Sequence, residues 1–86
     1  MSAHCFVYVI GCITPKGMLT YVGWTKDLER RLAQHNAGKG AKSTRGRVWV
    51  LLYAEPHDSA PAAMSREWFL KRDRGFRAQL RLLNPT

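Results

Sequence analysis

Two tyrosines, an arginine and a histidine have the types and spacing needed to act on a phosphate group. Tyr8 and Tyr21 lie within two successive apolar runs, and Arg31 and His35 are four residues apart on an amphipathic helical pattern. A buried phenol hydroxyl without a hydrogen-bond partner costs roughly 2–7 kcal/mol, so a purely structural sheet has little use for two. A guanidinium stays charged and can bind two phosphate oxygens at once. We therefore predict that these four residues converge on one site.

Plainer interpretations of the same residues remain open at this point. The tyrosines could pack at a sheet edge, His35 could be a satisfied histidine at a helix end, and Arg31 could be a surface residue like Arg30. Arg31 shares a helical face with Leu28 and Leu32, whereas Arg30 points elsewhere. This spacing favours a functional role for Arg31.

A β-hairpin is predicted to position the two tyrosines. Residues 5–13 are β-branched and aromatic, residues 14–17 (TPKG) have the composition of a turn, and residues 18–23 resume the strand pattern. We expect a helix to follow, with Thr25 as its N-cap, Asp27 and Glu29 in its first turn, and Gly38 at its end.

The second half of the chain predicts one more strand and two helices. The apolar run over residues 48–55 is continuous enough for a central strand buried on both faces. Ser59 is the expected cap of a helix on which four residues share one side: Met64, Glu67, Trp68 and Lys71. A last helix over residues 74–83 should pack Phe76, Leu80 and Leu83.

These elements, in the order β-β-α-β-α-α, predict an α/β protein of the α+β type. It would have a small three-stranded antiparallel sheet flanked by helices. At 86 residues the chain has room for one domain, spanning residues 1–86.

The charge of the chain favours a polyanionic partner. Lys and Arg total 14 against six Asp and Glu, a net charge of +8, and such a field attracts nucleic acid. Glycines in the segment between the first helix and the third strand alternate with four cations: Lys39, Lys42, Arg45 and Arg47. We predict that these cations, with Lys71, grip a phosphate backbone. The alternative is a solvated basic loop.

Other features limit the environment of the protein. No apolar stretch approaches the ~18 residues of a membrane span, and the N-terminus lacks a secretory pattern, so we expect a cytoplasmic protein without membrane contact. Cys5 and Cys12 would lie roughly 23 Å apart in one continuous strand, which excludes a bridge between them there. No cysteine or histidine spacing is typical of a zinc site.

The motifs together resemble the GIY-YIG nuclease superfamily, particularly its short stand-alone bacterial members. The first family motif corresponds to Phe6-Val7-Tyr8, which keeps only its tyrosine, and the second to Tyr21-Val22-Gly23, which is nearly intact. The segment from Leu28 to Asn36 (LERRLAQHN), the glycine-rich loop, and Arg66 to Lys71 (REWFLK) also look like this group. The resemblance covers most of the chain.

The resemblance implies hydrolysis of DNA phosphodiester bonds with one divalent metal ion. Glu67 falls where the family carries its metal-binding glutamate, and a single carboxylate suits Mg²⁺ or Mn²⁺. The rival role for Glu67 is an ion pair with Lys71. Tyr8 is the favoured base with Tyr21 as its hydrogen-bonded partner, provided that neighbouring cations lower the phenol pKa.

Departures from the family pattern leave alternatives open. The family often carries an asparagine on the last helix, and the candidates here are Gln79 and Asn84. Trp24 follows the second motif where some relatives carry a lysine, and its indole could stack on a base or close the core. The rival functions are a non-catalytic nucleic-acid-binding module and a basic protein–protein adaptor. RNA is not excluded as a substrate, and a protein partner could supply specificity.

Overall fold

The hairpin that carries the two tyrosines is the centre of the fold. In the computed structural model, which describes residues 4–83, β1 (Cys5–Thr14) pairs antiparallel with β2 (Gly17–Thr25). The turn between them closes where Thr14 faces Gly17, whose φ of 119° lies in the region that glycine adopts without strain. The Thr14 hydroxyl donates to the Gly17 carbonyl. The predicted hairpin is therefore confirmed.

Helix α1 (Leu28–Asn36) begins two residues later than the predicted cap would place it. Asp27 is the N-cap, and its carboxylate accepts a hydrogen bond from the Arg30 amide at 3.1 Å. The prediction of Thr25 as the cap is wrong, because the Thr25 hydroxyl binds the backbone of Asp27 in the preceding turn. Gly38 follows the helix with a φ of 76°, as expected for a residue that ends a helix.

The third strand, β3 (Val50–His57), lies at an edge of the sheet and not at its centre. The strand order is β2-β1-β3, so β1 is the only strand paired on both sides among the residues described. The strand also starts later than predicted and runs through Pro56, which is compatible with an edge position. The prediction of a strand buried on both faces is wrong, since Val50 and Leu51 are exposed.

Two helices follow β3 and complete the fold. Ser59 caps α2 (Ala60–Arg72) as predicted, accepting a hydrogen bond from the Ala62 amide. Helix α3 (Arg74–Leu83) has the predicted bounds and buries Leu80. Leu83 is 75% exposed, so its predicted packing is wrong. The α+β class and the order β-β-α-β-α-α are confirmed.

The two faces of the sheet carry different cores. The apolar face consists of alternate strand residues packed under α2 and α3: Val7, Val9 and Val22 with Ala63, Leu70 and Leu80. The phenol face lies under α1 and contains Tyr8, Ile10 and Cys12, with Tyr21, Leu28 and Leu32 packed against them. Because side chains alternate along a strand, β1 supplies both faces.

The remaining expectations about the chain concern cysteines and membranes. Cys5 and Cys12 are both buried and unbridged. Within residues 4–83, no helix has the length and apolar character required to cross a bilayer.

Candidate active site

Tyr8 projects from the centre of β1 into the phenol face and meets His35 on α1. Its side chain is 2% exposed, and its hydroxyl lies 2.8 Å from His35 Nε2. His35 is fully buried as well. This contact satisfies a phenol hydroxyl that has been removed from water, which a buried polar group requires.

The partners of His35 determine which of its ring nitrogens carries the proton. His35 Nδ1 lies 2.8 Å from the Thr44 hydroxyl, which itself donates to the Ala41 carbonyl at 2.8 Å. Since the single hydroxyl proton of Thr44 is directed to Ala41, its oxygen accepts from His35 Nδ1–H. His35 Nε2 is then unprotonated in the neutral ring and accepts the proton of Tyr8. The three side chains form a chain in which each donates to the next: Tyr8, His35 and Thr44.

Two glycines leave the space that these rings occupy. A Cβ atom on Gly23 would lie 2.5 Å from the Tyr8 hydroxyl oxygen, and one on Gly40 would lie 2.5 Å from His35 Nδ1. Gly23 is the residue opposite Tyr8 in the hairpin register. The glycine of the Tyr21-Val22-Gly23 motif is thus explained by the close approach of the Tyr8 ring.

Burial dominates the protonation behaviour of the Tyr8–His35 pair. It raises the pKa of Tyr8 to about 12, outweighing the lowering effect of Arg31, while the charges of Tyr21 and Glu67 raise the pKa further. Arg31 lowers this pKa as expected, but burial has the larger effect in the protein without nucleic acid or metal, so the net shift is upward. Burial, followed by the charge of Arg31, lowers the pKa of His35 below its usual 6.5. Both groups are neutral at pH 7 as a result.

Tyr21 contacts both partners through its ring. Its centroid lies 5.0 Å from that of His35 and 6.5 Å from that of Tyr8, with interplanar angles of 60° and 40°. The hydrogen-bond partner of the Tyr8 hydroxyl is His35, so the expected pairing of the two tyrosines through that hydroxyl is not the one found. Tyr21 nevertheless belongs to the same cluster, as predicted from the hairpin.

Arg31 borders the cluster on the side of an open cleft. Its guanidinium lies close enough to the Tyr8 hydroxyl to lower the pKa of Tyr8, and its Nη1 donates to Gln34 Oε1 at 3.1 Å. The cleft has a volume of about 490 Å³, and Trp24, Lys26 and Arg30 also line it. Arg31 is half-buried whereas Arg30 is exposed, which agrees with the predicted difference between these neighbours.

Glu67 lies on α2, which packs against the apolar face of the sheet. Its negative charge is close enough to contribute to the raised pKa of Tyr8. Its side chain is 21% exposed, and its Oε1 lies 3.4 Å from the Lys71 ammonium. The ion pair considered as the alternative role is thus present, although a pair at i,i+4 on a helix contributes only about 0.3–0.5 kcal/mol.

The donor atoms around Glu67 limit the kind of metal site that the protein can form. Among residues 4–83 there is no group of three or more histidine, cysteine or acidic side chains that could enclose an ion. A lone carboxylate fits Mg²⁺ or Mn²⁺, which keep several water ligands and take others from a phosphate. It does not fit a structural zinc site.

The five cations predicted to bind nucleic acid are all exposed. Lys39, Lys42, Arg45 and Arg47 lie in the segment between α1 and β3, which contains a short 3-10 turn at Lys42–Thr44. Lys71 lies on α2 beside Glu67.

Sequence reasoning missed the residues that hold this segment in place. Asn36 uses its side-chain amide to bind both backbone groups of Trp49, donating to its carbonyl at 3.0 Å and accepting from its amide at 2.6 Å. The buried Trp49 indole donates to the Thr44 carbonyl at 2.8 Å. A buried histidine needs partners for both ring nitrogens, and the Ser-Thr pair in the segment was the available signal for Thr44.

The departures from the family pattern have different outcomes. Gln79 is exposed on α3, and Asn84 lies outside the described residues. Trp24 packs against the apolar face and also lines the cleft, so it helps to close the core.

Comparison with known proteins decides the family. The model described as the GIY-YIG catalytic domain matches residues 4–79. The chain belongs to the GIY-YIG family. This superfamily consists of nucleases, so GIY-YIG membership implies a nucleic-acid substrate.

Similar proteins occur in both archaea and bacteria. A UPF0213 protein of Natronomonas pharaonis is 47% identical over 72 residues, covering 83% of this chain and 81% of that protein. One from Streptococcus sanguinis is 49% identical over 73 residues, covering 84% and 80%. One from Streptococcus pyogenes serotype M3 is 52% identical over 72 residues, covering 83% and 75%. Their names state no activity, and no solved structure matches this GIY-YIG chain.

Proposed function

We propose that the protein is a metal-dependent endonuclease that hydrolyses DNA phosphodiester bonds with low intrinsic sequence specificity. The observation that supports this most directly is the hydrogen-bond chain from Tyr8 through His35 to Thr44, with Arg31 beside its first member. A chain of this kind can move a proton within a buried site. Membership of a nuclease family supplies the substrate class.

The proposed proton path begins at the attacking water. Tyr8 passes its hydroxyl proton to His35 Nε2, and the phenolate oxygen then accepts a proton from the water that attacks phosphorus. His35 ends with both nitrogens protonated, while Thr44 accepts from Nδ1 throughout and keeps the ring oriented. Because burial opposes both charged forms, the transfer depends on charge near Tyr8 in the loaded site.

Arg31 and Glu67 are proposed to act on the phosphate. The Arg31 guanidinium would bind non-bridging oxygens and oppose the charge that develops as the bond breaks. Glu67 would hold a Mg²⁺ or Mn²⁺ ion, which in that position supplies further charge neutralisation at the phosphate and the leaving oxygen. Such an ion also places positive charge near Tyr8.

The exposed cations explain affinity without specificity. Contacts from Lys39, Lys42, Arg45 and Arg47 to the backbone would position DNA but carry no information about its sequence. Lys71 would contact the phosphate beside Glu67. A protein partner that supplies specificity agrees with this arrangement, and RNA remains an alternative substrate.

A second candidate function is a nucleic-acid-binding module that cleaves little or nothing. The raised pKa of Tyr8, the Glu67–Lys71 ion pair and the exposure of Gln79 favour this candidate. It predicts salt-sensitive binding to nucleic acid without any cut product.

The two candidates are separated by incubating the protein with plasmid, duplex, flapped and branched DNA, and with RNA, in Mg²⁺, Mn²⁺ or chelator. We expect metal-dependent nicking that falls by about 10²–10³-fold in Arg31→Ala, because a donor to the phosphate is lost. Arg74→Ala, which removes an exposed arginine of α3 that does not line the cleft, is the matched control. Glu67→Ala should abolish the increase in cleavage that Mg²⁺ or Mn²⁺ produces. Glu29→Ala, which removes an exposed carboxylate, is its control.

Two results would reject the endonuclease. One is cleavage that persists unchanged in chelator and in Arg31→Ala, which would indicate a contaminating nuclease. The other is salt-sensitive binding with no product on any substrate, which would support the binding module.

A further inference from the structure

An exposed aromatic and cationic surface lies on α2, beside the row that Glu67 forms with Lys71. Met64, Trp68 and Arg72 follow one another at intervals of four residues and so form one row along the helix. Lys71 lies beside this row, four residues after Glu67. Trp68 is 52% exposed and Met64 is 51% exposed. We call Met64, Trp68, Lys71 and Arg72 the α2 platform.

Contacts within α2 hold the Trp68 ring without burying it. The Arg72 guanidinium lies 3.7 Å from the centroid of the indole and donates to the Trp68 carbonyl at 2.9 Å. Phe69 meets the indole edge-on, with ring centroids 5.1 Å apart. The indole therefore has a defined orientation although it contributes little to either core.

A nucleic-acid base matches this surface better than an apolar partner does. A base presents a flat π-surface, and its attached backbone carries the negative charge that Lys71 and Arg72 would meet. Two copies of the protein facing each other through the platform would bring these cations against cations of the same sign, which is unfavourable. The net charge of +8 also favours a polyanion.

We propose that the α2 platform binds an unpaired base of the substrate strand, next to the phosphate that Arg31 and Glu67 contact. Its position beside the scissile phosphate rests on the proposed function, but binding of the base does not. In a continuous duplex the faces of the bases are stacked on one another, so only an unpaired nucleotide presents its face to Trp68. The preferred substrate therefore contains a single-stranded segment, as in a flap, a gap or a junction.

Tryptophan fluorescence in chelator tests this proposal without cleavage. Trp68 is the most exposed indole at 52%, since Trp49 is 4% exposed and Trp24, which also lines the cleft, is half-buried against the apolar face. We expect a twenty-nucleotide oligothymidine to quench the fluorescence, and expect a duplex or an abasic strand of equal charge to quench it much less. Trp68→Phe should remove most of the quenching, leaving only any part due to Trp24 in the cleft, while keeping affinity within a few-fold.

Affinity gives a second measurement. Trp68→Ala should weaken binding of the oligothymidine by roughly 5- to 100-fold, the loss expected for one stacked base, and should change duplex binding by less than about twofold. Leu82→Ala, which removes an apolar side chain of α3 that is 80% exposed, is the control and should bind as the wild type does.

Four outcomes would overturn the proposal. These are equal quenching by the abasic strand, quenching that is undiminished in Trp68→Phe, equal weakening of single-stranded and duplex binding in Trp68→Ala, and a change in oligomeric mass or in binding to anionic vesicles as the sole effect of that variant. A protein that is quenched by the oligothymidine but cuts nothing would contradict the proposed nuclease and leave the platform standing. Metal-dependent cleavage by the protein, together with unchanged binding of the oligothymidine in Trp68→Ala, would support the proposed nuclease and contradict the platform.

Discussion

The two faces of the sheet use alternate residues of the same strand for different purposes. On the apolar face, Val7 and Val9 are fully buried among aliphatic side chains under α2 and α3. On the phenol face, Tyr8 is almost as completely buried, but its environment includes the polar ring of His35. The apolar face stabilises the fold in proportion to the area that it removes from water. The phenol face contains buried polar groups that require partners, and this is where the proposed chemistry lies.

The difference between the apolar face and the phenol face should be largest when one buried side chain is shortened on each face. Tyr8→Phe removes only the hydroxyl, and we expect cleavage to fall by about 10²–10⁴-fold, the usual contribution of a positioned acid or base. Leu70→Ala on the apolar face should lower the free energy of unfolding by about 2–5 kcal/mol. Its cleavage rate per folded molecule should stay within a few-fold of the wild type.

Denaturant unfolding and single-turnover cleavage measure the two quantities separately. The comparison fails if Leu70→Ala reduces turnover of the folded fraction as strongly as Tyr8→Phe does. It also fails if Tyr8→Phe cleaves normally, since another group must then act on the water.

A glycine on each face provides a sharper contrast. In Gly23→Ala the new methyl group would lie 2.5 Å from the Tyr8 hydroxyl, and the ring can move only by losing its bond to His35. We expect a loss of cleavage of about 10²-fold, because a displacement near 1 Å has that effect. In Gly11→Ala the new methyl group meets the flexible ends of Leu52 and Met18. These can rotate away, so cleavage should be unchanged.

The same two measurements apply to the glycine variants, together with a crystal structure or the NMR shift of His35. A Gly23→Ala protein that keeps normal activity and an intact Tyr8–His35 contact would contradict the steric explanation.

A smaller effect is expected at the far end of the hydrogen-bond chain. Thr44→Val leaves His35 Nδ1 without an acceptor and should cost about 1–3 kcal/mol of stability, the penalty for an unpaired buried polar group. Cleavage should fall with it, because the ring loses its fixed tautomer. Thr44→Ser keeps the hydroxyl and should restore cleavage. If serine does not rescue the variant, Thr44 acts through its methyl group and not through His35.

The smallest effect concerns the pH dependence of folding. The pKa of His35 is lower in the folded protein than its usual 6.5, because burial and then Arg31 disfavour the imidazolium. Between these two pKa values the unfolded state binds more protons, so the contribution of His35 is fully present above pH 6.5 and is lost as the pH falls below it. Urea midpoints should therefore decrease from pH 7.5 to 5.5, with a shallower decrease in His35→Gln. Equal slopes in the two proteins would show that His35 is not responsible.

The sequence predicted best what depends on local pattern. The turn residues between β1 and β2 determine the register that pairs Ile10 with Tyr21 and Tyr8 with Gly23, and alternation then places both phenols on one face. The helical spacing of Arg31 and His35 brought them to the same region. Family membership rests on these patterns, while the roles of Tyr8, Tyr21, Arg31, His35 and Glu67 remain proposals.

What the sequence could not predict depends on contacts between distant segments. The apolar character of β3 does not distinguish an edge strand from a central one, because that depends on which strand it pairs with. The irregular path between α1 and β3 has no periodicity, so the Ser-Thr pair offered candidate hydroxyls but no indication that Thr44 would reach His35. The raised pKa of Tyr8 arises from burial that composition alone does not reveal.

Surface connectors usually tolerate changes in length, but the one between α1 and β3 should not. Gly40 lies against the imidazole of His35, Thr44 accepts from it, and the Trp49 indole is anchored to the Thr44 carbonyl. Adding or deleting one residue here would move Gly40 and Thr44 away from the positions in which they contact the His35 ring. Proteins with this fold are therefore expected to differ in the side chains of this connector but to keep its number of residues.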